Sequence, residues 1–198
     1  MKIAVTGGIA TGKSTVCRVL AQRLDVEALD ADQICRDLME KGQSGWLGIR
    51  RIWGERFFDA EGAVDRGLFR ETIFAEREIR QKLENILHPL VRDEIERVSR
   101  EKNLHGEDLV VEIPLLYEVG WQNDFDRVVA VFASDKRCIQ RIINRDRTTE
   151  QEARKILAAQ MPIICKALQA DSVIDNSGPW TYTCLQIYRL ARFLRKKP

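Results

Sequence analysis

Gly7-Gly8-Ile9-Ala10-Thr11-Gly12-Lys13-Ser14 is the stretch that decides the fold. It has the spacing G-x-x-x-x-G-K-[ST] of a phosphate-binding loop, and both flanks agree with that reading. Lys2-Ile3-Ala4-Val5-Thr6 before it is a short β-type run. After it, Val16, Val19, Leu20 and Leu24 recur at helical spacing, so a helix is expected to begin at or just after Lys13. Glycines let such a loop turn successive backbone N–H groups inward as an anion nest, and the helix N-terminus behind it adds partial positive charge. Lys13 is expected to reach the β- and γ-phosphates of a nucleoside triphosphate, with the Ser14 hydroxyl on Mg²⁺. The alternative, a ligand-free glycine turn, leaves the agreement of strand, loop, Lys-Ser and helix unexplained.

The rest of the composition narrows the function classes. A chain of 198 residues with 44% hydrophobic content can bury the core of one domain, or of one domain with a small inserted lobe. Its 32 basic and 30 acidic residues balance to +2, which gives no support for a nucleic-acid stripe or a membrane-surface patch. The basic cluster Arg192, Arg195, Lys196 and Lys197 is expected to complement the end of a helix dipole. Cys17, Cys35, Cys138, Cys165 and Cys184 are widely spaced with no C-x-x-C, and are expected to be reduced, mostly buried thiols of a cytoplasmic protein. No signal peptide fits, and no apolar run approaches the ~18 residues of a membrane span.

Along the chain, short apolar runs alternate with helical patterns. Strands are expected at Lys2–Thr6, Val26–Leu29, Leu109–Ile113, Arg127–Phe132 and Ser172–Ile174. The region 42–105 is strand-poor and helix-rich, with Trp46 and Trp53 expected in its core. A long helical pattern there runs from Ile79 to Val98, and Pro89 must kink it or start a new helix. Ser134 is expected to cap a helix from Lys136 to about Asn144. Thr149-x-x-Glu152 is a capping box for the next, and Pro179 opens the last. Strands alternating with helices imply a parallel sheet. The expected architecture is therefore α/β: a five-stranded parallel P-loop core (1–41, 106–134 and 161–198), an inserted helical lobe (42–105) and a lid (135–160). Together these read as a single small kinase.

Phosphoryl transfer requires little beyond positioning and charge neutralisation, and candidates for both are present. Asp30 and Asp32 follow the second strand, at the edge where a parallel sheet binds ligands. Asp32 is the candidate to orient or deprotonate an acceptor hydroxyl, against the alternative of simple helix capping, and Asp30 is expected either to cap or to support the site from behind. Glu112, near the end of the third strand, is placed either to hold a Mg²⁺-bound water or to pair with an arginine of the lobe. Arg137, Arg141 and Arg145 are four apart and share one helix face. Arg141 and Arg145 lead into the turn Asp146-Arg147-Thr148-Thr149, as reaching arginines of a lid would, while Arg137 reads as an ordinary solvated residue. His88 reads as a structural or lobe-positioning residue.

Taken in order, several motifs resemble those of dephospho-CoA kinases. They are Thr6 through Thr15, Asp30-Ala31-Asp32, Leu87-His88-Pro89, Ile113-Pro114-Leu115-Leu116-Tyr117-Glu118, Arg145-Asp146, Gln160 and Ala170 through Gly178. The resemblance spans nearly the full chain. It implies a nucleotide-kinase-like fold with a CoA-binding lobe, and transfer of the ATP γ-phosphate to the ribose 3′-hydroxyl of dephospho-CoA with Mg²⁺. It further implies that Ala10, Thr11, Gly12, Lys13, Ser14 and Thr15 bind the ATP phosphates and that Asn176 lies near adenine. Asp32 would be the base and Arg141 or Arg145 would serve from the lid, with His88, Leu115, Leu116 and Glu118 around the acceptor. Two positions depart from the family pattern. Ala10 stands where glycine is usual, which asks that position 10 avoid positive φ, and Tyr117 replaces a more usual Phe. The runner-up activity is another small-molecule P-loop kinase, such as one acting on a nucleoside monophosphate. A switch GTPase is disfavoured by the lack of an N-K-x-D segment. The expected assembly is a monomer or weak homo-oligomer acting on small molecules, without nucleic acid or membrane partners.

Overall fold

A computed structural model describes residues 1–195 of the chain. Lys196 and Lys197 of the expected basic cluster lie outside the described residues. Five strands, β1 (Lys2–Gly7), β2 (Glu27–Asp30), β3 (Leu109–Glu112), β4 (Arg127–Phe132) and β5 (Ser172–Asp175), form one sheet in the order β2-β3-β1-β4-β5. β1 runs parallel to both β3 and β4, and β4 is parallel to β5. The register pairs Val5 with Glu112 and Gly7 with Val131, so the carboxyl ends of the three central strands meet beside the Gly7–Ser14 turn.

Contacts divide the described chain into two compact units, residues 1–29 with 101 onward, and residues 30–100. In the first, α1 (Lys13–Leu24) and α9 (Trp180–Arg195) share a core with one face of the sheet. Period-2 alternation along β1 sends Ile3 and Val5 into that core. They pack there with Val110, Val129, Val131, Leu20 and Ile187, all at most 1% exposed. Burying side chains of this size is worth about 1.5–3 kcal/mol each. α8 (Ile163–Gln169), a short helix that the sequence pattern did not reveal, packs on β1 and β4.

Between β4 and α8 lie α6 (Asp135–Asp146) and α7 (Glu150–Ala158). The expected capping box of α7 is present: Glu152 N–H donates to Thr149 Oγ1, and the Glu152 carboxylate accepts from Thr149 N–H. Ser134 does stand at the N-cap of α6, but its side chain makes no capping bond. The backbone N–H of Ser134 donates instead to Ser177 Oγ at 2.9 Å, which ties the start of α6 to the segment after β5.

The unit of residues 30–100 is helical, with α2 (Ala31–Leu38), α3 (Ser44–Trp53), α4 (Arg66–Ala75) and most of α5 (Arg77–Leu104). Trp46, Phe57 and Phe69 are buried at its centre, with Trp46 edge-on to Phe58 and Trp53 edge-on to Phe57. The two tryptophans therefore serve as core, as expected. Pro89 does not end α5. Its missing N–H removes one helical bond, yet the buried stripe Ile79, Leu83, Leu87, Val91 and Ile95 continues through it at every fourth residue. Packing of that stripe outweighs the local break.

Candidate active site

The phosphate loop joins β1 to α1, and its shape is enforced from outside as well as by its glycines. A Cβ on Gly7 would meet the backbone carbonyl oxygen of Val131 at 2.6 Å. Gly12 takes φ +91°, and a Cβ there would meet Asn176 Nδ2 at 2.4 Å. Ala10 adopts φ +59°. The expectation that position 10 avoids positive φ is overturned: an L-residue occupies the left-handed region, at a cost of about 1–2 kcal/mol.

Partners that can offset that cost surround the loop. Turning N–H groups inward leaves carbonyls pointing outward, and these require donors. Arg141 donates from Nη1 to Ala10 O at 3.0 Å and to Thr11 O at 3.1 Å, and from Nη2 to Asn176 O at 3.0 Å. Asn176, 5% exposed, donates from Nδ2 to Thr11 O at 2.7 Å. Its own Oδ1 accepts from the fully buried Thr183 hydroxyl at 3.0 Å. On the opposite flank, Ile9 N–H donates to Gln160 Oε1 at 2.8 Å. Inside the turn, Gly8 O accepts from Thr11 Oγ1 and from Lys13 Nζ, each at 2.9 Å. Lys13 is thus held at the loop by a neutral acceptor that phosphate oxygens can replace.

Ser14 and Glu112 meet next to the loop. The Ser14 hydroxyl donates to Glu112 Oε1 at 2.8 Å, and Glu112 is 7% exposed at the end of β3. A hydroxyl and a carboxylate in contact are the oxygen donors a hard divalent cation takes when substrate phosphates complete its shell. No cluster of three or more His, Cys, Asp or Glu side chains arranged for a metal occurs among the described residues. A Mg²⁺ held by one or two protein oxygens and phosphates does not require one.

Thr15, Arg141, Arg145 and Asn176 line a cavity of about 430 Å³ against Ala10 and Gly12. Arg145 is exposed and forked onto its neighbour Asp146 at 2.7 and 2.8 Å, which raises the arginine pKa and lowers that of the carboxyl. Arg137, read as a solvated residue, is exposed and donates to Ser177 O. A larger cavity of about 740 Å³ borders Gly8 and Thr11 on the side of Cys138, Leu157 and Met161. Burial is the main cause raising the Cys138 thiol pKa, and this keeps it protonated. Of the five cysteines, all free thiols, only Cys17 and Cys138 are buried and Cys165 is exposed, so the expectation of mostly buried thiols holds for the interior pair alone.

The segment after β3 divides its residues. Leu115 is 41% exposed and can meet a ligand, whereas Leu116 is fully buried core. Glu118 is ion-paired with Lys166 at 2.7 Å, and Lys166 is itself fully buried. Lys166, Gln160 and Thr183 are functional-looking residues that sequence reasoning did not assign contacts. For Gln160 the signal was its place among the motifs of the resemblance, and for Lys166 it was its following Ile163 at i+3, which puts a charge on an apolar stripe.

Asp32 and His88 belong to the second unit. Asp30 caps α2, its Oδ1 accepting from Asp32 N–H at 2.9 Å and Gln33 N–H at 3.3 Å. Asp32 stands exposed in the first turn, so capping is not its task. Burial, with the Asp32 charge adding to it, pushes the Cys35 thiol up to about 11. His88 lies within α5, and burial lowers its imidazole pKa against the opposing pull of Glu84.

The sequence model of the dephospho-CoA kinase family matches residues 1–181. A dephospho-CoA kinase of Desulfotalea psychrophila is 38% identical over 187 residues, 94% of each chain. Among solved structures, a Thermus thermophilus protein superposes with a TM-score of 0.82 at 27% identity, covering 100% of this chain and 98% of its own. A dephospho-CoA kinase from Campylobacter jejuni gives a TM-score of 0.74 at 25% identity, covering 99% and 98%.

Proposed function

The chain belongs to the dephospho-CoA kinase family, and we propose a division of labour for its residues on that premise. The enzyme transfers the γ-phosphoryl group of ATP to the ribose 3′-hydroxyl of dephospho-CoA, giving coenzyme A and ADP. The observation that carries the assignment of the donor side is the loop with Lys13 at its mouth and the Ser14–Glu112 pair beside it.

In this reading the inward N–H groups of residues 10–15 take the triphosphate. Lys13 exchanges Gly8 O for phosphate oxygens and neutralises charge that builds on the transferring group. Ser14 and Glu112 would hold Mg²⁺, which when bound would supply neutralisation of phosphate charge. Arg141 keeps the loop in its binding shape. Arg145 leaves Asp146 and brings its charge to the phosphates from the lid, and Asn176 lies beside the adenine. On the acceptor side, Asp32 accepts a hydrogen bond from the 3′-hydroxyl and orients it, taking its proton as the bond to phosphorus forms. His88, Leu115, Leu116 and Glu118 shape the acceptor site, with Leu116 acting from the core behind the exposed Leu115. No helix among the described residues is long and apolar enough to cross a membrane. We place the enzyme in the cytoplasm, as a monomer or weak homo-oligomer.

The test is an acceptor screen of purified protein with ATP and Mg²⁺. Dephospho-CoA should be consumed with one ADP formed per phosphoryl group gained. Turnover of AMP or another nucleoside monophosphate with dephospho-CoA inert would replace this reading with that of a nucleotide kinase. Asp32→Asn should lower kcat far more than it weakens ATP binding. Collapse of ATP affinity with kcat retained would make Asp32 structural.

A further inference from the structure

Lys166 is a fully buried lysine to which the proposed reaction gives no role. Lys166 of α8 is 0% exposed and donates to Pro114 O at 2.6 Å and to Glu118 Oε1 at 2.7 Å and Oε2 at 3.0 Å. A buried ammonium is costly to desolvate, and replacing such a pair by apolar side chains is often neutral or stabilising. Stability alone is therefore a poor reason for it. What the ammonium does is geometric. Both of its acceptors lie in the segment after β3, at Pro114, two residues past Glu112, and at Glu118. The same segment is held from the same short stretch at a second point, where Met161 N–H donates to Glu118 Oε1 at 3.4 Å. One residue earlier, Gln160 accepts from Ile9 N–H of the phosphate loop at 2.8 Å. Seven residues, 160–166, thus grip both the donor loop and the segment carrying Leu115 and Leu116.

We infer that residues 160–166 form a strap that sets the post-β3 segment in register with the phosphate loop, and that Lys166 is the positioning residue for that segment. Lys166 acts through Pro114 and Glu118 and touches neither substrate. Glu118 then contributes to acceptor binding as the strap's anchor. The kinetic part of this inference rests on the dephospho-CoA kinase reading, while the structural part does not. α7 ends at Ala158, immediately before the strap, so the strap is also where the 135–160 segment joins both loops.

The experiment compares the full-length wild type with Lys166→Met and with the double variant Lys166→Met/Glu118→Gln. Lys166→Met leaves a carboxylate facing an apolar side chain and should lower the melting temperature. The double variant removes that unpaired charge and should recover most of the loss. Pro114 O has no ammonium in either. kcat/KM for dephospho-CoA should therefore stay about 10- to 100-fold below wild type in the double variant, chiefly through KM, while ATP affinity by calorimetry changes less than about threefold. Amide hydrogen exchange supplies a readout independent of turnover. Val119 N–H, Gly120 N–H and Trp121 N–H donate to Leu115 O, Tyr117 O and Leu116 O, and these three amides should exchange faster in the double variant while β3 is unchanged. Recovery of both melting temperature and kcat/KM, or unchanged exchange at residues 119–121, would overturn the inference. A wild type inert towards dephospho-CoA would instead defeat the proposed activity, and the exchange experiment would still decide on the strap.

Discussion

Arg141→Met separates two roles that one guanidinium beside a phosphate loop can have. The substitution keeps much of the aliphatic stem and deletes the bonds to Ala10 O, Thr11 O and Asn176 O. Thr11 O keeps Asn176 Nδ2 at 2.7 Å, so two acceptors lose their partner. A hydrogen bond from a charged donor contributes about 1.5–3 kcal/mol. Arg141 is only partly buried and water can enter, so the lower value applies, for a total near 3 kcal/mol. Relaxation of Ala10 returns about 1–2 kcal/mol of that, so in a chain of this length the melting temperature falls by about 2–8 °C. A second effect follows from Ala10, which the guanidinium braces at φ +59°. Without the brace the residue relaxes out of the left-handed region, and ATP must restore it on binding. That costs about 1–2 kcal/mol, or about 5- to 30-fold in affinity. Thermal unfolding and calorimetry with a non-hydrolysable ATP analogue measure both, and kcat at saturating substrates should fall less than affinity does. A melting temperature within about 1 °C of wild type, unchanged ATP affinity and a kcat reduced by orders of magnitude would refute the argument. Arg141 would then spend its charge on the transferring phosphoryl group.

Three further outcomes are expected. Tyr117 buries a hydroxyl that finds no partner among the described residues, and burial raises its pKa with the Asp171 charge adding to the effect. Tyr117→Phe should be stabilising by about 1 kcal/mol, a rise of about 2–4 °C, and a fall of the melting temperature would show that the hydroxyl is satisfied by water. Gly12→Ala puts a Cβ 2.4 Å from Asn176 Nδ2 at φ +91°. It should weaken ATP binding by about tenfold or more, since at least 1–2 kcal/mol of backbone strain is added, and unchanged affinity would count against the loop geometry. For His88 the folded-state pKa lies below 6.5, chiefly through burial. The unfolded chain then takes up the proton first, so the stability this residue supplies is present above pH 6.5 and is lost as pH falls through the lowered folded value. His88→Gln should flatten that part of the melting-temperature profile between pH 7.5 and 5. Parallel profiles for the two proteins would remove His88 from the balance.

Features whose cause is local were legible in the chain. The strand, the glycine turn and the helix from Lys13 follow from backbone permissiveness and periodicity within one stretch, and Thr149 with Glu152 completes a box only three residues long. Asp30 capping α2 is of the same kind. Features whose cause is a distant partner were not legible. Ser134 stands at the N-cap of α6 without a capping bond, and the bond its N–H makes to Ser177, 43 residues away, could not be read from the local sequence. Lys166 shows in the sequence only as a charge on an apolar stripe, and its partners Pro114 and Glu118 lie 52 and 48 residues away. α8 escaped because Ile163-Ile164-Cys165 begins it with a continuous apolar run, and a seven-residue element gives periodicity little to act on. Arg141 was legible as an arginine near phosphate, but not as the donor to carbonyls about 130 residues earlier.

Ala10 shows why the second class of feature matters to the first. The octapeptide Gly7–Ser14 is recognisable by its glycines, yet one of its left-handed positions is held by alanine, for which the conformation is uphill. The forces that keep it there come from Arg141 on α6, Gln160 before α8 and Asn176 after β5. All three follow β4 in the chain. The nest is therefore a product of the folded second half of the molecule acting on a motif in its first 14 residues. This makes a simple consequence follow for folding. A partly folded state with β1, α1 and β3 in place but the chain after β4 undocked would contain the motif without its braces, and should bind ATP poorly. ATP then stabilises the fully docked state selectively by mass action, and hydrogen exchange at Val173–Asn176 should slow when nucleotide is added, even though β5 contributes one expected adenine neighbour and no phosphate ligand. Exchange there that is indifferent to nucleotide would mean that the loop holds its shape by itself, with Ala10 strained and unassisted.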